Sequence, residues 1–271
     1  RFGFADSIQN LLKIIRNGAK NIFKIKQPSP RIYRSLISFI LFFVVVITIF
    51  TESQTAPPPP QEAIPIEVIR TSELINSLTS QDAVLIAFDY EPGMAGEMEA
   101  AAAAVVDHLM IKGAYLSLIS TSPTGPALAE RFIRTIQKEH NYTSGIQYIN
   151  LGFIPGGAAG LLGFAQMPQR ISPLSFDGMD AWSTAPLNGI YTLADFKLVV
   201  LISDNPDSAR TWIEQVQPKL QDTPLIAVVS AQAEPILKPY SGGENAQIQG
   251  MVGGIIDGAA YEQITGKPKL A

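Results

Sequence analysis

The chain of 271 residues has no cysteine and only two histidines, His108 and His140. Without cysteine there are no disulfide staples, thiolate metal sites or cysteine nucleophiles. The compartment stays open, because a chain this long can bury a core that needs no staples. Both histidines fall in or at the end of expected helices, so a serine nucleophile has no evident base and a histidine-pair metal site is not expected. The phosphate loop Gly-x-x-x-x-Gly-Lys-Ser/Thr and the dinucleotide fingerprint Gly-x-Gly-x-x-Gly are also missing. No stripe of basic residues interleaved with aromatics is present beyond the first 34 residues, which argues against nucleic acid as a partner.

Charge is unevenly placed. Residues 1–34 hold eight Lys/Arg against Asp6 alone, a balance of +7, while the other twelve Lys/Arg face 23 Asp/Glu, a balance of −11. The basic part runs straight into an uncharged apolar stretch, Ser35 to Thr51, bracketed by Arg34 and Glu52. Seventeen helical residues rise about 26 Å, and Ile32 and Tyr33 lengthen the stretch while Arg34 reaches toward the headgroups. Phe39, Phe42, Phe43 and Phe50 fall on all sides, unlike a helix with one buried face. The expectation is a retained transmembrane helix over 32–51. A cleaved signal peptide competes, but its basic leader is normally short, and four prolines follow the small-residue candidate at Thr55–Ala56. The excess of positive charge then puts the N-terminus in the cytoplasm and the main domain outside the cell membrane.

Within residues 1–30, Phe4, Ile8, Leu11, Leu12 and Ile15 share one helical face, with Lys13, Arg16 and Lys20 elsewhere. That is the pattern of an amphipathic helix lying on anionic membrane lipid, or docked on a partner subunit. Residues 52–63 are rich in proline and read as a semi-rigid spacer.

From residue 64 to 271 the pattern changes. Five apolar runs, at 83–90, 114–121, 146–153, 196–203 and 224–231, alternate with helical stretches beginning near Ala95, Pro126 and Pro206. Several runs are apolar at consecutive positions, as in strands covered on both faces. The expected fold is therefore α/β: a mainly parallel sheet of about five strands with helices on both faces, Rossmann-like or flavodoxin-like. Residues 64–69 are expected to add an edge strand. The last stretch reads as a helix with Gly250, Gly254 and Gly258 on one face, which allows tight packing on its own sheet or self-association.

Ligands of open parallel sheets bind beyond the carboxyl ends of the strands. That edge is expected to carry Asp89, Glu91, Ser120, Thr121, Ser203 and Asp204. Helix capping explains such residues without any ligand. A ligand-sensing or enzymatic domain would use the same groups, with Asp89, Glu91 and Asp204 as hard oxygen donors and 120–126 as a hydroxyl cradle for a phosphate. The Gly-dense turn 156–163 lacks the first tight glycine pair of a nucleotide site and reads as close helix–sheet packing. Asn141–Thr143 fits a glycosylation acceptor. Residues 167–195 form a long stretch interrupted by Pro and Gly, with Phe176 and Trp182 as candidate interface anchors.

No catalytic residue, metal ligand or cofactor is assigned by these features. An anchor, a proline spacer and an Ala/Gly-rich α/β domain resemble the general layout of bacterial envelope proteins, a likeness that carries no site. The expected role is a single-pass, non-catalytic accessory or scaffolding subunit of a larger assembly, with other membrane-protein subunits as partners.

Overall fold

In the computed structural model, residues 30–52, 64–137, 140–243 and 246–266 are described. The leader residues Phe4, Ile8, Leu11, Leu12 and Ile15 and the spacer 53–63 lie outside them. The chain divides into two units, Arg1–Pro60 and Gln61–Ala271.

The first unit contains one helix, α1 (Pro30–Glu52). The rings of Phe39 and Phe43 lie 5.4 Å apart, one turn along the helix. Among the described residues no helix is long and apolar enough to cross a membrane. In α1 the side chains are described for 32–48, and those 17 residues rise about 26 Å against a hydrocarbon core of ~30 Å.

The second unit is built on six parallel strands: β1 (Ala83–Asp89), β2 (Tyr115–Ser120), β3 (Tyr148–Phe153), β4 (Leu198–Ser203), β5 (Leu225–Val229) and β6 (Gly250–Gly253), in the order β3-β2-β1-β4-β5-β6. The helices are α2 (Ile66–Asn76), α3 (Ala95–Ile111), α4 (Gly125–Ile136), α5 (Gly157–Gln166), the single turn α6 (Pro168–Ile171), α7 (Pro206–Gln215), α8 (Glu234–Ser241) and α9 (Gly254–Thr265). The consecutive apolar runs are explained by period-two sorting within each strand. Val84, Ile86 and Phe88 of β1 join the core under α2, α3, α4 and α9, while Leu85 and Ala87 join the core under α5, α7 and α8.

The expected α/β class is present, with three differences. Residues 66–76 are helical, not an edge strand: Val68, Thr71, Ser72 and Ile75 are buried at the spacing of a helix face, and β-branched content alone had favoured a strand. The sheet has six strands, because Gly250–Gly253 pairs with β5. Gly250, Gly254 and Gly258 therefore do not share a helical face: Gly250 is in β6, packed against Thr71, and Gly254 opens α9 at φ +61°. A Cβ at Gly258 would stand 2.9 Å from Ala101 Cα, so this glycine is used where α9 crosses α3.

Residues 167–195 are not structureless. They hold α6 and three 3₁₀ turns, and bury Ala181, Leu187, Ile190 and Leu193 in the second core. Residues 172–176 run along the outer edge of β3, where Ser172 Oγ donates to Leu151 O (2.8 Å) and Phe176 N to Asn150 O (2.7 Å). That strip covers a sheet edge that would otherwise offer open backbone groups to another chain.

His108, on α3, is buried where α2 and α9 meet it. Its Nε2 faces Asn76 Oδ1 at 3.2 Å and its Nδ1 faces the Tyr261 hydroxyl at 2.8 Å. A neutral ring satisfies both, donating from Nε2 and accepting at Nδ1. Burial, helped by Lys112, pushes the imidazole below its usual value, against the pull of Asp107. The unfolded chain thus takes up this proton more readily than the folded one, and stability is lost as pH falls from ~6.5 toward the lower folded value. The urea midpoint is expected to fall between pH 7.5 and 5.5, with a flatter slope in His108→Gln; an unchanged slope in that variant would assign the loss to another group. Asp204 and Asp257 act with the opposite sign, since burial raises both, but from the carboxylate range at lower pH.

Candidate functional site: the strand tips at the switch point

In this order β1 and β4 are neighbours, and their connections leave in opposite directions, β1 toward β2 and β4 toward β5. The crevice beyond their carboxyl ends is where doubly wound sheets hold ligands. Here the tips supply Asp89 and Glu91 from β1 and Ser203 and Asp204 from β4, with Ser120 and Thr121 at the end of β2. All six sequence-predicted tip residues stand at this edge.

Asp89 is 4 % exposed, and its carboxylate is surrounded by donors. Thr121 N (2.6 Å) reaches Oδ1, while Thr121 Oγ1 (2.6 Å), Trp212 Nε1 (2.6 Å) and Ser208 Oγ (3.2 Å) reach Oδ2. Ser120 Oγ also lies 3.1 Å from Oδ1, but its single proton has a nearer acceptor in Phe88 O at 2.6 Å. Even without Ser120, four donors converge on this carboxylate, three of them on Oδ2. Asp89 thereby fastens the tips of β1 and β2 to α7. The fit is close: a Cβ on Gly125, at the start of α4, would stand 1.9 Å from Ser120 Oγ and 2.5 Å from Phe88 O.

The remaining polar groups are also engaged. Ser203 Oγ donates to Asn205 O (3.1 Å), and Asn205 Oδ1 accepts from Asp207 N (2.8 Å) as the N-cap of α7. Ser230 Oγ donates to Asp204 O (3.1 Å). Asp204 Oδ2 accepts from Glu91 N at 3.2 Å, yet burial holds this carboxyl above its usual range, and Glu91 and Asp89 push the same way. Glu91 accepts from Ser122 Oγ at 3.3 Å. That carboxylate next to the 120–126 turn opposes a phosphate there. Among the described residues no group of three His, Cys, Asp or Glu is placed to hold a metal ion.

Neither histidine is near the tips. His108 is buried between helices, and His140 Nε2 meets Asp107 at 2.5 Å. Trp182 is half-buried, its Nε1 donating to Ser172 O at 2.7 Å, while Phe176 is exposed beside a cavity of about 480 Å³ lined by Arg131, Arg134 and Asp177. Glu130, on the inner wall of that cavity, accepts from Tyr148 Oη and Asn150 Nδ2, both at 3.2 Å. Burial, reinforced by Glu130, pushes the Tyr148 phenol up to about 12.

Sequence reasoning missed Ser208 and Trp212. The only available signal was a tryptophan on the helix after the fourth strand, and it becomes legible once β4 is known to lie beside β1.

Fold and tip together define a doubly wound, six-stranded parallel α/β protein with an acidic switch point. No protein-family model matches the chain, and no curated protein or solved structure matches it.

Proposed function

We propose that this protein is a membrane-anchored, non-catalytic accessory or scaffolding subunit, held by residues 32–51 with its α/β domain on the outer side of the cell membrane. The observation that carries the reading is the surface of α1. Twelve large apolar side chains from Ile32 to Ile47 are 49–64 % exposed. They include seven consecutive positions, 39–45, which cover every side of a helix with 3.6 residues per turn. A groove on a partner covers one side of a helix; lipid covers all of them.

The scaffolding half of the reading is supported by the tips, where the buried Asp89 carboxylate is held by four donors of the chain itself, so a substrate would have to compete with them. Leu174 and Phe176 on the strip along β3, with Met179 in the turn that follows, are exposed and offer an apolar contact for another subunit.

The test is extraction of the full chain from membranes, first with alkaline carbonate and then with mild detergent, followed by native mass measurement and cross-linking. The chain is expected to stay in the carbonate pellet, to move to the supernatant when Phe42 and Val44 are both replaced by Arg, and to cross-link to defined partner chains through 172–180. Each Arg at a span centre costs ~2.5–3.5 kcal/mol on insertion scales, enough to turn a single span out. Recovery of the wild type from the supernatant overturns the anchor. Recovery as a lone chain carrying a small molecule or metal overturns the scaffold and returns attention to Glu91 and Asp204.

A further inference from the structure

At the tips of β5 and β6 the surface has a different composition from the switch point. Ile255 and Ile256, in the first turn of α9, are 55 % and 75 % exposed. Adjacent aliphatic side chains this open at the start of a helix gain little from the fold, and a contact that covers them gains what the fold leaves out. Carboxylates stand around them. Asp257 Oδ2 accepts from Gly253 N at 2.9 Å, the Glu234 side chain packs against Gly253, and Glu97 Oε1 accepts from Ala231 N at 2.7 Å. Glu67, in the first turn of α2, adds a fourth negative charge close enough to act on Asp257. Against these four stands Lys238, 3.5 Å from Glu234.

We infer that this edge docks a partner polypeptide segment that carries aliphatic side chains flanked by Lys or Arg. Ile255 and Ile256 supply the apolar contact and the carboxylates select the charge. A second copy of this edge would set like charge against like, and an anionic lipid surface would be repelled in the same way, so a basic protein segment is the occupant that fits both features. Burial holds the Asp257 carboxyl above its usual range, and among the described residues Lys238 is the side-chain cation that opposes the shift, so an incoming cation meets a poorly neutralised acid. The inference stands on the α/β unit alone and does not depend on the anchor.

The experiment uses the full chain, in a zwitterionic nanodisc or in plain buffer should it need none, and two labelled 14-residue helical peptides with the same leucine face. One has Lys and the other Glu at the flanking positions, and empty nanodiscs serve as the control. Fluorescence anisotropy is expected to show binding of the Lys peptide alone. The paired change Ile255→Ser and Ile256→Ser, at exposed positions that leave the fold unaltered by circular dichroism, is expected to weaken binding at least tenfold. Glu67→Gln with Glu234→Gln is expected to weaken it severalfold and to flatten its salt dependence. No binding of the Lys peptide, equal binding of the Glu peptide, or full binding by the isoleucine variant overturns the inference. Preferential capture of the full chain by anionic vesicles over zwitterionic ones, lost in the isoleucine variant, assigns the edge to lipid and overturns it as well.

Discussion

Asp89→Ala is expected to remove about 4 kcal/mol of stability, a large share of the ~5–15 kcal/mol that a domain possesses. The figure follows from donors that cannot turn away. Thr121 N–H is fixed by the backbone and Trp212 Nε1–H by a ring that is fully buried. Each loses its acceptor, Trp212 in a buried position and Thr121 in a partly buried one, at ~1–3 kcal/mol apiece. The Thr121 and Ser208 hydroxyls can rotate and lose less. Asp89→Asn keeps one oxygen but sets an NH₂ against donors, so an intermediate loss of about 2 kcal/mol is expected. Urea unfolding followed by tryptophan fluorescence reads both, because Trp212 reports directly on the contact. A midpoint unchanged in Asp89→Ala would mean that the tip is not a structural tie, and Asp89 would regain its place among candidate ligand groups.

Gly258→Leu is expected to cost about 3 kcal/mol, at the upper end of what overpacking usually does. Its Cβ would meet backbone, Ala101 Cα at 2.9 Å and Ala101 O at 3.2 Å, so the contact cannot relax by a rotamer change. Either α9 moves off α3 or one of the two helices bends. The same variant separates two uses of this glycine. A tight intrachain crossing predicts a lower urea midpoint with an unchanged native mass; a self-association face predicts a smaller assembly with an unchanged midpoint.

The sequence announced the layers of the domain but not their order. The five apolar runs marked five strands because nearly all of their residues are buried on one face or the other, most plainly in β4 and β5, where Val, Ile and Leu follow one another with little interruption. β6 escaped because two of its four residues are glycine and a glycine-rich helix follows directly. Residues 64–69 misled through Ile and Val content, while the deciding signal, burial of Val68, Thr71, Ser72 and Ile75, includes two polar residues that a hydrophobic count passes over. At the candidate site the tip residues could be named from their positions after strands. Their mutual contacts could not, since Asp89 meets Trp212, 123 residues away, only because β4 inserts beside β1, and no local pattern encodes that. Capping accounts for Asn205, as such residues usually do after strands, but Asp89 ties strand tips together without capping a helix.

That separation also sets a timetable for synthesis. Asp89 leaves the ribosome 123 residues ahead of Trp212. At ~5–20 residues per second the wait is roughly 6–25 s. During it β1, β2 and β3 are available with one side of the central strand open and its terminal carboxylate still in water. The first half of the sheet is therefore a waiting intermediate by construction, and the strand that completes it arrives before the helix that locks it.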